Sequence, residues 1–310
     1  MTSGGKRGPD LLLAGAARSG TTTLAAWIGR HPQTVSPSIK EPNFFSTRGD
    51  RGHEWYESLF GRRDGTWIDA SAQYSFPSHL AAAARAAALN PELRIVYLVR
   101  DPLPRAFSHY CHEVLYMGHH SAAVGGVADF GAAMRASDDI LGASDYETVI
   151  DGLVDAVSDD RLLVLPFELV AHEPERAAET VWSFAGLPPA GPDELVAVDT
   201  ELFTNERAVF ASPLVRRAFK AIRTTRIYPR VRAALGAERM RRVRARVTSD
   251  DAIPTLHAAL STCSSEQRAE VVRVATRSAE AVRERLRSQD ARNGTDFLSE
   301  CTWLDEPTLP

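Results

Sequence analysis

Three stretches of the sequence combine charge, hydroxyls and glycine at spacings that could do chemistry on phosphate groups. The first is GAARSGTTT, Gly15 to Thr23. Gly15 and Gly20 have the G-x-x-x-x-G spacing of a loop whose backbone N–H groups cradle an anion at a helix start. In the triphosphate version the next residue is lysine, which reaches the β- and γ-phosphates. Here it is Thr21, so ordinary triphosphate chemistry is disfavoured and the ligand stays open. The second stretch is RIVYLVRDPLPRAFSHY, with Arg100 directly after an apolar run and Arg105 and Ser108 beyond it. A guanidinium and a hydroxyl together suit a second phosphate. Taken alone, Arg100-Asp101 has a lesser alternative as a local ion pair at a helix start. The third is Lys40-Glu41 in SIKEPNFF. A carboxylate beside an ammonium can act as general base and electrostatic clamp, although an isolated pair of this kind is more often a surface ion pair.

Histidines cluster at His109, His112, His119 and His120. His109 and His112 form an i, i+3 pair on one helix face. No carboxylate or cysteine set completes a ligand group, so no metal is expected. A histidine here could compete for a base role.

These residues need a frame. LLLA at 11–14 and RIVYLV at 94–99 are continuous apolar runs, as buried parallel strands require. RLLVLPF at 161–167 is a third strand, and TWIDAS at 66–71 is a strand end. Leu24, Trp27 and Ile28 put helical spacing after the glycine loop. Further helices are expected at 55–60, 78–90, 102–117, 145–157, 174–186 and 265–287, with loops at 31–46 and 118–131. Trp27, Trp55 and Trp182 sit at apolar-periodic positions and are expected in the core. Strands alternating with helices predict an α/β fold with a parallel sheet. In such sheets ligands bind at the carboxyl ends of the strands, where all three stretches fall.

Bulk properties fit a large globular chain. It has 310 residues, 44% of them hydrophobic and 25% charged, and a net charge of −4. That balance does not mark a nucleic-acid binder. No apolar run approaches the length of a membrane span, and the short run at 11–17 ends in Arg18, unlike a signal peptide. Three scattered cysteines, Cys111, Cys263 and Cys301, suit a reducing cytoplasm. Residues 206–247 carry 13 Lys and Arg against two Glu. This is either a solvated basic surface or a flap facing an anionic cofactor or acceptor. The expected organisation is a tail at 1–9 and a single domain at 10–310. That domain has its core at 10–190, the basic region at about 200–260, and a C-terminal helix and tail at 261–310.

GAARSGTTTLAAWIGRHP, KEPNFF, WY-x3-F at 55–60, VRDPLPRAFSHY and LLVLPFE at 162–168, in this order, resemble the sulfotransferases that use 3′-phosphoadenosine 5′-phosphosulfate (PAPS). The resemblance is in particular to the branch that includes the heparan-sulfate enzymes and many bacterial relatives. The likeness covers about residues 10–190 and implies a P-loop-NTPase-like three-layer fold with a helical C-terminal third. PAPS has no γ-phosphate, so the absent lysine is no defect. The resemblance implies that Ala17, Arg18, Ser19, Gly20, Thr21, Thr22 and Thr23 bind the phosphosulfate, with Arg18 as the cation. It makes Arg100 and Ser108 the 3′-phosphate pair and Glu41 the base of an in-line transfer, assisted by Lys40. The product would be adenosine 3′,5′-bisphosphate. No metal is called for.

Two departures concern the acceptor. The family's E-K-T-P-x-Y stretch matches Asp69, Ser71 and Tyr74, but its lysine is Ala70 and its proline is Ala72. One active-site cation is therefore missing, which weighs against a highly anionic polysaccharide. The expected acceptor is a hydroxyl of a small molecule, glycolipid or carbohydrate, with Asp69, Tyr74, His109 and His112 as candidate contacts. The alternatives are a P-loop kinase or NTPase using ATP and magnesium, and a non-catalytic nucleotide-binding protein. The missing lysine and the lack of a clear magnesium-binding aspartate count against the first. Intact Glu41, Arg100 and Ser108 count against the second. The sequence leaves the oligomeric state open.

Overall fold

The structure, a computed structural model, describes residues 6–61, 64–116, 129–196, 209–210, 248–249, 254–305 and 308. His119, His120 and nearly all of the basic 206–247 stretch lie outside the described residues, as does most of the loop expected at 118–131.

Five strands form one parallel sheet: β1 (Leu11–Gly15), β2 (Thr34–Val35), β3 (Thr66–Asp69), β4 (Arg94–Val99) and β5 (Leu162–Pro166). Their order is β2-β3-β1-β4-β5. β1 is central, and the chain moves to one side of it for β2 and β3, then to the other for β4 and β5. The carboxyl end of β1 is therefore the switch point, where an open α/β sheet leaves a crevice for ligand. All of β1 and β5 and all of β4 after Arg94 are buried. Burial on both faces is why these strands read as unbroken apolar runs rather than alternating ones.

The helices are α1 (Thr21–Ile28), α2 (His53–Ser58), α3 (Ala81–Ala87), α4 (Pro102–Tyr110), α5 (Phe130–Ala136), α6 (Asp138–Gly142), α7 (Tyr146–Val157), α8 (Phe167–His172) and α9 (Pro174–Phe184). Near the C-terminus come α10 (Leu256–Leu260), α11 (Ser265–Asn293) and α12 (Phe297–Glu300). α1 packs on α9, while α7 packs on both α3 and α11. A second apolar cluster joins α4 to α5, α10 and the start of α11 through Leu103, Tyr110, Phe130, Leu260 and Val271. Trp182 lies in the main core, with Trp27 and Trp55 packed at its margin. Val209–Phe210 and Thr248–Ser249 form a separate antiparallel pair.

β5 ends the sheet, and α11 covers its outer side. The Gln289 amide accepts from the Val164 N–H at 2.8 Å and donates to the Val164 carbonyl at 2.8 Å. The Arg285 guanidinium donates to the Leu162 carbonyl.

Four details differ from the sequence-based expectation. α4 is α-helical only to Tyr110 and continues as a π-helical turn over Cys111–Tyr116. The helix expected at 78–90 starts after a 3₁₀ turn at Pro77–His79, since proline at the first position disposes the chain to a turn. β2 is two residues long, too short for any hydrophobic period. Phe167 opens the short helix α8 instead of ending the strand, because Pro166 closes the ladder.

Candidate active site

The glycine loop turns sharply at the end of β1. Arg18 has φ of 73° and Gly20 of 87°, both left-handed. Gly20 is required twice over: its φ favours glycine, and a Cβ there would come within 3.3 Å of Phe167 and Val170. Gly20 also stands at the N-cap of α1, with no side chain capping the helix. The first-turn N–H groups thus have no intrahelical partner and face the loop. Ser19 is fully buried, and among the described residues its hydroxyl finds no hydrogen-bond partner. A buried orphan hydroxyl beside uncapped N–H groups is what an anion would satisfy. The residues present therefore fit a phosphate or phosphosulfate.

The second cluster closes on the first. The Arg18 Nε donates to the Ser108 hydroxyl at 3.3 Å, and Arg100 Nη1 donates to the Arg18 carbonyl at 2.9 Å. The Arg100 guanidinium also lies over the Phe167 ring, 4.5 Å from its centroid. Tyr146 fixes the Arg100 backbone from both sides, accepting from its N–H at 3.1 Å and donating to its carbonyl at 2.7 Å. Asp101 caps α4 through the Leu103 N–H and also accepts from the N–H and hydroxyl of Thr308. Arg105 is fully buried beneath the loop. It donates to Ser144 at 2.5 Å, to the Ile140 carbonyl at 2.5 Å and to the Ala17 carbonyl at 3.3 Å.

The third cluster stands beside the first. Glu41 and Asn43 have φ of 57° and 52°, left-handed positions that non-glycine residues visit rarely. Lys40 Nζ donates to Glu41 Oε1 at 2.7 Å. Both side chains are about one-third exposed, so solvent screens the pair. Glu41, Lys40 and Thr22 line one cavity of about 290 Å³, walled further by Ala25, Ala26, Ile68 and Ala70. The glycine loop's helix and the carboxylate thus share one space.

A sulfotransferase-domain family profile matches residues 8–207, more than half of the chain. The chain belongs to the sulfotransferase family. The mouse bifunctional heparan sulfate N-deacetylase/N-sulfotransferase 1 is 32% identical over 200 residues, covering 58% of this chain and 22% of that protein. The human heparan sulfate glucosamine 3-O-sulfotransferase 3B1 is 32% identical over 108 residues, covering 35% of this chain and 27% of that protein. The chain thus spans about a quarter of the length of these relatives. A crystal structure of a sulfotransferase from Alicyclobacillus acidocaldarius superposes with a TM-score of 0.50 at 22% identity, covering 69% of this chain and 90% of that one. It shares the fold.

Within the sulfotransferase, the expected site residues separate into two sets. Ala17 to Thr23, Arg100 and Ser108 converge at the ends of β1 and β4, and Lys40 and Glu41 face the cavity next to Thr22. Asp69 and Tyr74, by contrast, have no exposed surface. Asp69 accepts from Ser71 at 2.6 Å, Tyr74 at 3.0 Å and Tyr56 at 3.1 Å. Burial pushes its pKa up to about 6, against the pull of those hydroxyls. Both residues lie beneath the Glu41 segment. His109 is buried against the Phe76 ring. Burial, helped by the nearby Arg105 charge, lowers its pKa to about 3, so it stays neutral near pH 7. His112 is partly exposed and pairs with Glu113 at 3.0 Å. Among the described residues no group of three or more histidine, cysteine or acidic side chains could hold a metal. No helix among them is long and apolar enough to cross a membrane.

Phe167 was not singled out from the sequence. Its signal was available: it follows the apolar strand LLVLP directly, as Arg100 follows RIVYLV, so both project from the same sheet edge. Tyr146 had no comparable signal, because its partners are the N–H and carbonyl of Arg100, distant in sequence. Arg105 stood out beside Ser108, but its burial against Ser144 and the Ile140 and Ala17 carbonyls did not.

Proposed function

We propose that this sulfotransferase moves the sulfuryl group of PAPS to a hydroxyl acceptor by in-line transfer, releasing adenosine 3′,5′-bisphosphate. PAPS supplies the activated sulfuryl group. The observation that carries the reading is the shared cavity: Thr22 of the anion loop and Glu41 face one space. Uncapped N–H groups of α1, with Ser19, Thr21 and Thr22, hold the 5′ phosphosulfate. Arg18, together with Lys40 beside Glu41, offsets negative charge at the departing oxygen. Arg100 and Ser108 hold the 3′-phosphate, with the Phe167 ring supporting the guanidinium. Glu41 takes the proton from the acceptor hydroxyl, a role worth roughly 10²–10⁴-fold in rate.

The acceptor we assign is a hydroxyl of a small molecule, glycolipid or carbohydrate. Ala25, Ala26, Ile68 and Ala70 give the cavity aliphatic walls, which favour a compact acceptor with an apolar part over a bare anionic polysaccharide. The cavity volume of about 290 Å³ falls just below the usual ligand-pocket range of roughly 300–1,000 Å³. We treat residues 10–310 as one catalytic unit. Three cysteines scattered over 310 residues favour a reducing compartment such as the cytoplasm.

The test is thermal stabilisation followed by product analysis. Adenosine 3′,5′-bisphosphate without magnesium should raise the melting temperature, corresponding to about 2.7 kcal/mol at a hundredfold excess over Kd. ATP with magnesium should not. Incubation with PAPS and a panel of hydroxyl compounds should then give sulfated product by mass spectrometry. Stabilisation by ATP and magnesium alone would overturn the reading in favour of a kinase or NTPase.

A further inference from the structure

The segment carrying Glu41 has an unusual backbone. Glu41 and Asn43, either side of Pro42, are both left-handed. Such conformations persist when the surroundings over-determine them. Here the surroundings are specific. The Asn43 N–H donates to the Ser71 hydroxyl at 3.0 Å, and the Phe45 N–H donates to the Tyr74 hydroxyl at 3.3 Å. Arg48 donates to the Glu41 carbonyl at 3.3 Å, and Arg85 Nε to the Phe45 carbonyl at 2.8 Å.

The two hydroxyls that receive these N–H groups both end on one carboxylate, Asp69. A hydroxyl has a single proton. Ser71 and Tyr74 spend theirs on Asp69, so only lone pairs remain to face Asn43 and Phe45. Tyr56, from α2, supplies a third hydroxyl to the same carboxylate. Asp69 is the last residue of β3, so the network is anchored to the sheet. It is fully buried, and therefore cannot touch the acceptor. Its neighbour Ala70 lines the Glu41 cavity.

We infer that Asp69 is a positioning residue for Glu41, acting through Ser71 and Tyr74 to fix the backbone from which the general base projects. The inference rests on the proposed role of Glu41. Asp69 orders two hydroxyls, the hydroxyls hold two backbone N–H groups, and those hold the turn that aims the carboxylate. A displaced base loses rate and leaves the nucleotide loop intact.

The experiment compares Asp69→Asn, Ser71→Ala and Tyr74→Phe in the wild-type and Glu41→Gln backgrounds. Turnover and adenosine 3′,5′-bisphosphate affinity are measured for each. Asp69→Asn should lower kcat by roughly tenfold to a hundredfold, as small misplacements of catalytic groups do, with nucleotide affinity held within about twofold. In the Glu41→Gln background it should cause no further loss, because its effect runs through Glu41. Wild-type kcat in Asp69→Asn, with Glu41→Gln inactive, overturns the positioning role and leaves the base role standing. An equal fractional loss in both backgrounds also overturns it, as a general structural effect. Near wild-type turnover in Glu41→Gln instead removes the base role itself. Should Asp69→Asn not fold, Tyr74→Phe and Ser71→Ala apply the same criteria, since each removes one hydroxyl and keeps the carboxylate.

Discussion

Arg18 and Ser108 meet across ninety positions of sequence, guanidinium Nε to hydroxyl at 3.3 Å. Arg100 completes the junction through the Arg18 carbonyl. The two phosphate sites proposed for the nucleotide are therefore mechanically joined before any ligand arrives. A change at one should be felt at the other.

Arg100→Ala removes the charge, the bond to Arg18 and the stacking on Phe167. A hydrogen bond to a charged group is worth about 1.5–3 kcal/mol, so affinity for adenosine 3′,5′-bisphosphate should fall roughly tenfold to a hundredfold. Arg100→Lys should recover little, because an ammonium neither forks nor stacks as a guanidinium does. Calorimetric titration checks both. Unchanged affinity in Arg100→Ala would remove Arg100 from nucleotide binding.

Arg105→Met should destabilise the whole protein. It strips a donor from Ser144 and from the carbonyls of Ile140 and Ala17, all held by one buried guanidinium. Leaving such groups unsatisfied costs about 2–4 kcal/mol in total. A lower urea midpoint at constant slope is the expected signature. Because Ala17 belongs to the anion loop, nucleotide affinity should fall as well.

Asp69 makes a signed pH prediction. Its folded pKa of about 6 exceeds the ordinary 3.8, so between these values the folded state binds more protons than the unfolded state. This group's contribution to stability is therefore fully present below about 3.8 and is lost as pH rises through about 6. Asp69→Asn deletes that dependence. The stability advantage of wild type over the variant should grow as pH is lowered from about 7 to about 4.5. Denaturant midpoints across that range test it, and a shrinking advantage contradicts the assigned shift.

His109 should not be the base. It is buried, and its pKa is lowered to about 3. His109→Asn should leave the shape of the pH profile of kcat/KM unchanged between about pH 5 and 8. Loss of one limb of the profile would reinstate it.

Much of this was legible in the sequence, for identifiable reasons. β1, β4 and β5 are buried on both faces, so their apolar runs stand out against any neighbour. Arg100 and the glycine loop follow such runs directly, which places them at one sheet edge without further information. Glu41 was harder: its segment has no period, and only its neighbours Lys40, Phe44 and Phe45 mark it. Asp69 and Tyr74 were legible as residues and not as placements. A four-residue strand does not disclose that α2 and the Glu41 segment cover its last side chain. Likewise, nothing in SHYCHEVLY foretells the change from α- to π-helical winding at Cys111, which accompanies packing of Val114 into the second apolar cluster.

The pairing of Gln289 with Val164 bears on how these molecules behave in a crowd. An outermost parallel strand exposes a row of N–H and C=O groups that can recruit a strand from another molecule. Here one side-chain amide imitates the missing strand at Val164, and the Arg285 guanidinium occupies Leu162 next to it. The border of the sheet is sealed by α11, so intermolecular growth along β5 has no template while that helix remains docked.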